Sequence, residues 1–86
     1  MIQKNKFNPL CLELARTRLN EDGKTRQNHL EKKLTLIRAA ELSGFSKSKI
    51  CRWESGETIP KINELLVMAE CYGVGPDFFY NNDAKA

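Results

Sequence analysis

Apolar residues along this chain recur at three- and four-residue spacings, and no stretch alternates strictly between apolar and polar. Spacings of that kind build one-sided helices, whereas strict alternation builds strands, so the pattern predicts an all-α fold. The first stripe is Leu10, Cys11, Leu14, Ala15 and Leu19. Asn8 is its expected N-cap, and Pro9 sits at the first helical position, where a missing N–H costs nothing. Gly23 is the expected stop. A second helix is expected over 36–42, capped by Thr35, with Ile37, Ala39 and Ala40 inward and Gly44 beyond its end. Ser46 caps a third, 47–55, in which Ile50 and Trp53 share the inner face and Gly56 is the stop. After a turn over 57–60 comes the broadest stripe, Ile62, Leu65, Leu66, Ala69 and Tyr72, ended by Gly73. Pro76 opens a last short turn carrying Phe78, Phe79 and Tyr80. The count is about five helices, with no internal repeat.

Residues 20–33 interrupt this order. They are almost wholly polar, Leu30 being their one large apolar side chain, and read as a surface loop with a short helical turn over 29–33. Loops beyond about a dozen residues are uncommon in compact domains and tend to be functional or mobile. The expected organisation is a basic N-terminal arm over 1–9, one domain over 10–80 carrying this insertion, and a frayed tail over 81–86.

Composition narrows the class. A chain of 86 residues, 41% hydrophobic and 29% charged, suits one small soluble core and excludes collagen-like and disordered classes. The longest apolar run is five residues, 65–69, so no segment is expected to span a bilayer or act as a signal peptide. A soluble cytoplasmic protein is the default. Charge is uneven: residues 1–61 hold thirteen Lys/Arg against seven Asp/Glu (+6), and residues 62–86 hold one against four (−3). A basic front suggests a polyanionic partner met on one side. Cys11, Cys51 and Cys71 are odd in number and widely spaced, which disfavours a disulfide framework or a zinc cluster. Three reduced, mostly buried thiols are expected.

The second and third helices, joined by Ser43-Gly44-Phe45-Ser46, form a helix-turn-helix. Ala40 permits a close crossing, Gly44 takes a backbone conformation that other residues resist, and Phe45 and Ile50 seal the core beneath. Lys47, Ser48, Lys49 and Arg52 then point away from Ile50 and Trp53. Residues 34–80 resemble the domain of phage repressors, Cro proteins and XRE-type bacterial regulators. Leu34-Thr35, Ala40, Gly44-Phe45-Ser46, Ile50, Trp53-Glu54-Ser55-Gly56, Pro60, Leu65, Leu66, Ala69, Gly73-Val74 and Phe79 carry the likeness. Residues 10–19 are similar to the family's first helix.

The resemblance implies a compact five-helix, lambda-repressor-like domain and a DNA-binding regulator from a bacterium or phage. It implies base reading in the major groove by Lys47, Ser48 and Arg52, with Arg52 suited to bidentate bonding to guanine. Phosphate contacts fall on Thr35, Ser46, Lys49 and Thr58. The chain departs from the family where the usual phosphate-binding Gln is Leu36, where Arg38 replaces a capping Glu, where Glu57 enters a loop that is often basic, and at the insertion. Two readings of the insertion stand side by side: a solvated mobile loop, or a segment whose Lys32 and Lys33, with Arg26, bind phosphates and order on binding. Glu54, acidic beside DNA, is expected to pair internally with an Arg.

No catalytic constellation, cofactor motif or convergent metal-ligand set is legible, and His29 stands alone. The expected function is a repressor occupying an inverted-repeat operator as a homodimer. An antitoxin that binds a toxin and its own promoter, or a helix-turn-helix used for protein interaction, are the alternatives. Of the terminal aromatics, Phe79 belongs in the core, while Phe78 and Tyr80 suit either a dimer contact or edge packing.

Overall fold

The computed structural model describes residues 6–80; the outer part of the N-terminal arm and the tail over 81–86 lie outside the described residues. Four α-helices, α1 (Pro9–Thr17), α2 (Leu36–Ser43), α3 (Lys47–Ser55) and α4 (Ile62–Tyr72), are followed by a 3-10 turn over Pro76–Phe79. The fold is all-α, and its fifth helical element is that single turn rather than a full helix. Pairing of extended backbone among the described residues is limited to isolated bridges of Phe7 with Tyr80, Leu19 with Thr25 and Asn20 with Lys33.

The helix starts follow cap chemistry. Asn8 Oδ1 accepts from Leu10 N at 3.0 Å, Thr35 Oγ1 from Arg38 N at 3.1 Å, and Ser46 Oγ from Lys49 N at 3.1 Å. Each such bond satisfies an otherwise open N–H and contributes about 1 kcal/mol. Gly44 ends α2 at φ 87°, and a β-carbon there would meet nothing within 4 Å. Its requirement is therefore conformational and not spatial.

The core comprises Leu12, Ala15, Leu19, Leu34, Ala39, Ile50, Trp53, Leu65, Met68, Ala69, Tyr72 and Phe79. Three expected faces are corrected. In α1, Leu10 and Leu14 are 69% and 56% exposed, and Leu12 is buried instead. The inward line of α1 is 12, 15, 16 and 19, which includes Arg16 and so is not an unbroken apolar stripe. In α2, Ile37 is exposed, and Ala39 faces in with the partly buried Leu36 and Ala40. In α4, Ile62 and Leu66 are exposed and Met68 is buried. The unbroken apolar run 65–69 makes that helix apolar on all sides, so spacing alone leaves its rotation open.

Arg16 is inward because it has partners there. Its Nε and Nη2 donate to the Glu54 carboxylate at 2.8 and 2.9 Å, and its Nη1 donates to the Leu34 carbonyl at 2.6 Å. Both side chains are nearly covered, 11% and 9% exposed. Burial by itself would lower the Arg16 pKa, but the hydrogen bond and charge of Glu54 outweigh it and hold the guanidinium above its ordinary value. The internal partner expected for Glu54 is thus Arg16. Beside this pair, the buried Tyr72 hydroxyl has no hydrogen-bond partner among the described residues, and burial pushes its pKa up.

The insertion is built rather than loose. α1 ends at Thr17 with Arg18 as its C-cap, not at Gly23. Gly23, at φ 82°, instead serves a tight hairpin turn: its N–H donates to the Asn20 carbonyl at 2.9 Å, and Asn20 N donates to the Lys24 carbonyl at 2.7 Å. Asn20 Oδ1 accepts from Asp22 N and Lys24 N within that turn. The expected helical turn over 29–33 is absent; a simple turn at 28–31 takes its place. Glu31 closes the excursion by accepting from Asn20 Nδ2 at 2.7 Å and Gln27 N at 2.6 Å, which lowers its pKa. Arg26 turns inward to the Glu31 and Thr17 carbonyls. These bonds, with those of Glu31, hold the segment against the end of α1.

Two stability outcomes follow from the buried polar groups. Arg16→Met or Glu54→Leu alone should cost about 2–4 kcal/mol of unfolding free energy, somewhat below a fully buried pair because both groups keep slight exposure. The double variant should recover most of that loss in urea denaturation; losses that simply add would mean the pair is not what each residue is there for. Tyr72→Phe should be neutral or stabilising by up to about 1 kcal/mol, since the hydroxyl it removes is buried without a partner. A larger loss would reveal a bonded hydroxyl.

Candidate nucleic-acid interface

The second helix of the helix-turn-helix, α3, is divided lengthwise. Ile50 and Trp53 are buried on its inner side, and Glu54 turns in to Arg16. Positions 47, 48, 51 and 52 fall on the opposite side at the i, i+1, i+4, i+5 spacing of one helix face. Lys47, Ser48, Cys51 and Arg52 are all exposed there and together line one open groove. Lys47 and Arg52 make no ion pair among the described residues. This face therefore presents two unneutralised cations, a hydroxyl and a thiol, with the guanidinium free to form a planar pair of donors.

Cys51 is the residue the sequence reading missed. Against the expectation of mostly buried thiols, Cys51 is exposed in the middle of this face. The signal was available: position 51 lies three and four residues beyond Ser48 and Lys47, so it shares their side. Cys11 and Cys71 are partly buried.

Lys49 runs down the flank. Its Nζ lies 2.8 Å from Glu64 Oε2 on α4, and 5.4 and 5.8 Å from the centres of the Phe45 and Trp53 rings. Those rings meet edge to face at 5.2 Å, so the lysine ties the motif's turn and α3 to α4. The Lys49 hydrogen bond, with a second from Lys61 N, holds the Glu64 carboxyl below the usual carboxylate range. Thr35 and Ser46 are exposed, each with its hydroxyl engaged as a cap. Thr58 is exposed just past α3, its N–H held by the Arg52 carbonyl at 3.3 Å.

The insertion places its lysines differently. Lys33 is exposed next to the buried Leu34, where the chain enters α2. Lys32 shares a groove with Glu21, Asp22 and Glu31, a setting that repels a phosphate. Phe78 and Tyr80 are partly buried against the core, and Phe78 meets Phe79 edge to face at 6.2 Å.

Residues 25–79 match the sequence model of the helix-turn-helix family. The chain belongs to that family, in its XRE-type branch, and is a DNA-binding helix-turn-helix regulator. The match spans α2, α3, α4 and the 3-10 turn; α1 precedes it. Neither the curated proteins nor the solved structures searched contain a match. No helix among the described residues is long and apolar enough to cross a membrane.

The bonds around Glu31 and Glu64 set a pH dependence. Both carboxyls have folded-state pKa values below their ordinary 4.5. Their stabilisation is thus complete above that value and is lost as the pH falls through the lower folded values. The urea midpoint should be level near neutrality and drop as the medium is acidified below pH 4.5. In Glu64→Gln the drop should be shallower, and an identical pH profile would show that the Lys49–Glu64 pair contributes nothing.

Proposed function

We propose that the protein is a repressor that occupies promoter DNA by placing α3 in the major groove. The observation that carries this reading is the outer face of α3: Lys47, Ser48 and Arg52 stand exposed, with no carboxylate paired to either cation, on the second helix of a helix-turn-helix. Arg52 and Lys47 bond guanine O6 and N7, and Ser48 serves as a donor or acceptor to a base edge. Thr35, Ser46 and Thr58 supply backbone contacts around this face. Lys33 is the insertion's candidate for the same role. Lys49 acts on DNA only by releasing Glu64, so its share is the smaller.

The operator is an inverted repeat bound by a two-fold dimer, with half-sites about 10 base pairs apart or a multiple of that. Exposed Ile62 and Leu66, one turn apart on α4, with Ile59 exposed just ahead of that helix, support this. The partly buried Phe78 and Tyr80 fit edge packing better than a dimer contact.

Selection of duplexes from a random pool tests the reading. Arg52→Ala and Lys47→Ala should each weaken the selected site by about 1–3 kcal/mol and relax preference at one or two positions. Thr58→Ala should weaken all sequences alike. The selected duplex should shield Cys51 from alkylation. Equal losses on matched and mismatched sites for both groups of variants, or an unshielded Cys51 in the complex, would remove α3 from the groove.

A further inference from the structure

Arg52 faces two ways. It lines the outer groove of α3 with Lys47, Ser48 and Cys51. It also lines a second groove, between the end of α3 and the start of α4, together with Lys49, Trp53, Thr58 and Glu64. Glu64 puts a carboxylate into that second groove. A guanidinium matches a carboxylate better than any other cationic side chain, because its planar fork bonds both oxygens. An arginine folded onto Glu64 would be turned away from a base edge.

The carboxylate is closed to it by Lys49. Lys49 Nζ holds Glu64 Oε2 at 2.8 Å, and the Lys61 N–H donates to Oε1 at 2.7 Å, so each oxygen is engaged. The lysine is itself held in place, 5.4 and 5.8 Å from the centres of the Phe45 and Trp53 rings. Trp53 belongs to the core, which fixes the ring against which the ammonium rests. Lys49 and Arg52 are three positions apart on α3, so they reach the same flank of the helix. Two cations thus border one carboxylate, and the lysine has it. Arg52 remains exposed and makes no ion pair among the described residues.

We infer that Lys49 is a positioning residue for base recognition: by keeping Glu64 occupied, it leaves the Arg52 guanidinium free for guanine. The inference rests on the DNA-binding reading of α3 and assigns Lys49 a task inside the protein in place of the expected phosphate contact. Specificity at one base pair then depends on Glu64, a residue of α4 outside the helix-turn-helix.

The test uses duplexes selected by the wild-type chain and the position at which Arg52→Ala relaxes preference. The readout is the ratio of affinities for duplexes matched and mismatched at that position. A bidentate arginine contributes about 5-fold or more to such a ratio. Lys49→Ala should lose most of it there and keep the preferences elsewhere, because the vacated Glu64 takes up Arg52. Adding Glu64→Gln to Lys49→Ala should restore the ratio, since no carboxylate remains to divert the arginine. Lys49→Arg should retain it, since a cation still holds Glu64. An altered net charge shifts both duplexes alike and leaves the ratio unmoved. In the free protein, a double-mutant cycle of Arg52→Ala against Glu64→Gln in urea should show coupling only in the Lys49→Ala background. Equal losses on all duplexes for Lys49→Ala would make it a phosphate contact and overturn the inference. A ratio that Glu64→Gln fails to restore would overturn it as well, and both results leave the regulator reading intact. If the wild-type chain selects no duplex, the regulator reading falls and the inference falls with it, whatever the cycle shows.

Discussion

The Arg16–Glu54 pair is the constraint on which the rest of the architecture depends. It joins α1 to α3, and through the Leu34 carbonyl it also pins the residue just ahead of the α2 cap. One guanidinium therefore fixes three points that lie far apart in sequence. Covered charges are tolerable only when paired and fully bonded, which makes this geometry restrictive. If α1 rotates, the arginine loses its carboxylate; if α3 rotates, Glu54 leaves the arginine and the outer face of the helix turns away. The direction in which Lys47 and Arg52 project is thus set from inside the molecule.

The same constraint explains how a fourteen-residue excursion is accommodated between α1 and α2. Leu34 must reach Arg16, and its N–H donates to the Leu19 carbonyl at 2.9 Å, so the chain has to leave Leu19 and return beside it. Asn20 paired with Lys33, the Gly23 turn, and the Glu31 and Arg26 bonds bring the two ends together. The insertion is absorbed as a closed unit, and the helix-turn-helix beyond it keeps its place against α1.

Much of this was legible in the sequence wherever one residue decides a local outcome. Asn8, Thr35, Ser46, Gly44 and Gly56 mark helix ends by cap chemistry alone, and α3 has the expected bounds. Rotation of helices was less legible. Arg16 hid the inward line of α1 because its partner is thirty-eight positions away, and only the fold brings Glu54 to it. The apolar run in α4 offers too many equivalent faces for spacing to tell the buried Met68 from the exposed Leu66. The face of α3 bearing Lys47, Ser48 and Arg52 is readable from spacing, whereas the residue type of Cys51 points to burial and hides its place on that face. Lys49 could not be assigned to Glu64 before α4 was placed.

These particulars show how a nine-residue helix serves two demands. A helix this short has little stability of its own and must be held by tertiary contacts. In α3 that holding is done by Ile50 and Trp53 within the core, Glu54 on Arg16, and Lys49 on Glu64, all on the inner side or its flank. No hydrogen bond or ion pair of the fold engages the side chains of Lys47 or Arg52 among the described residues. Charge that folding requires is paired, and charge on the outer face is left bare. Substitutions at 47, 48, 51 and 52 therefore leave these holding contacts in place, whereas Glu54 and Lys49, on the same helix, cannot change without disturbing how that face is held.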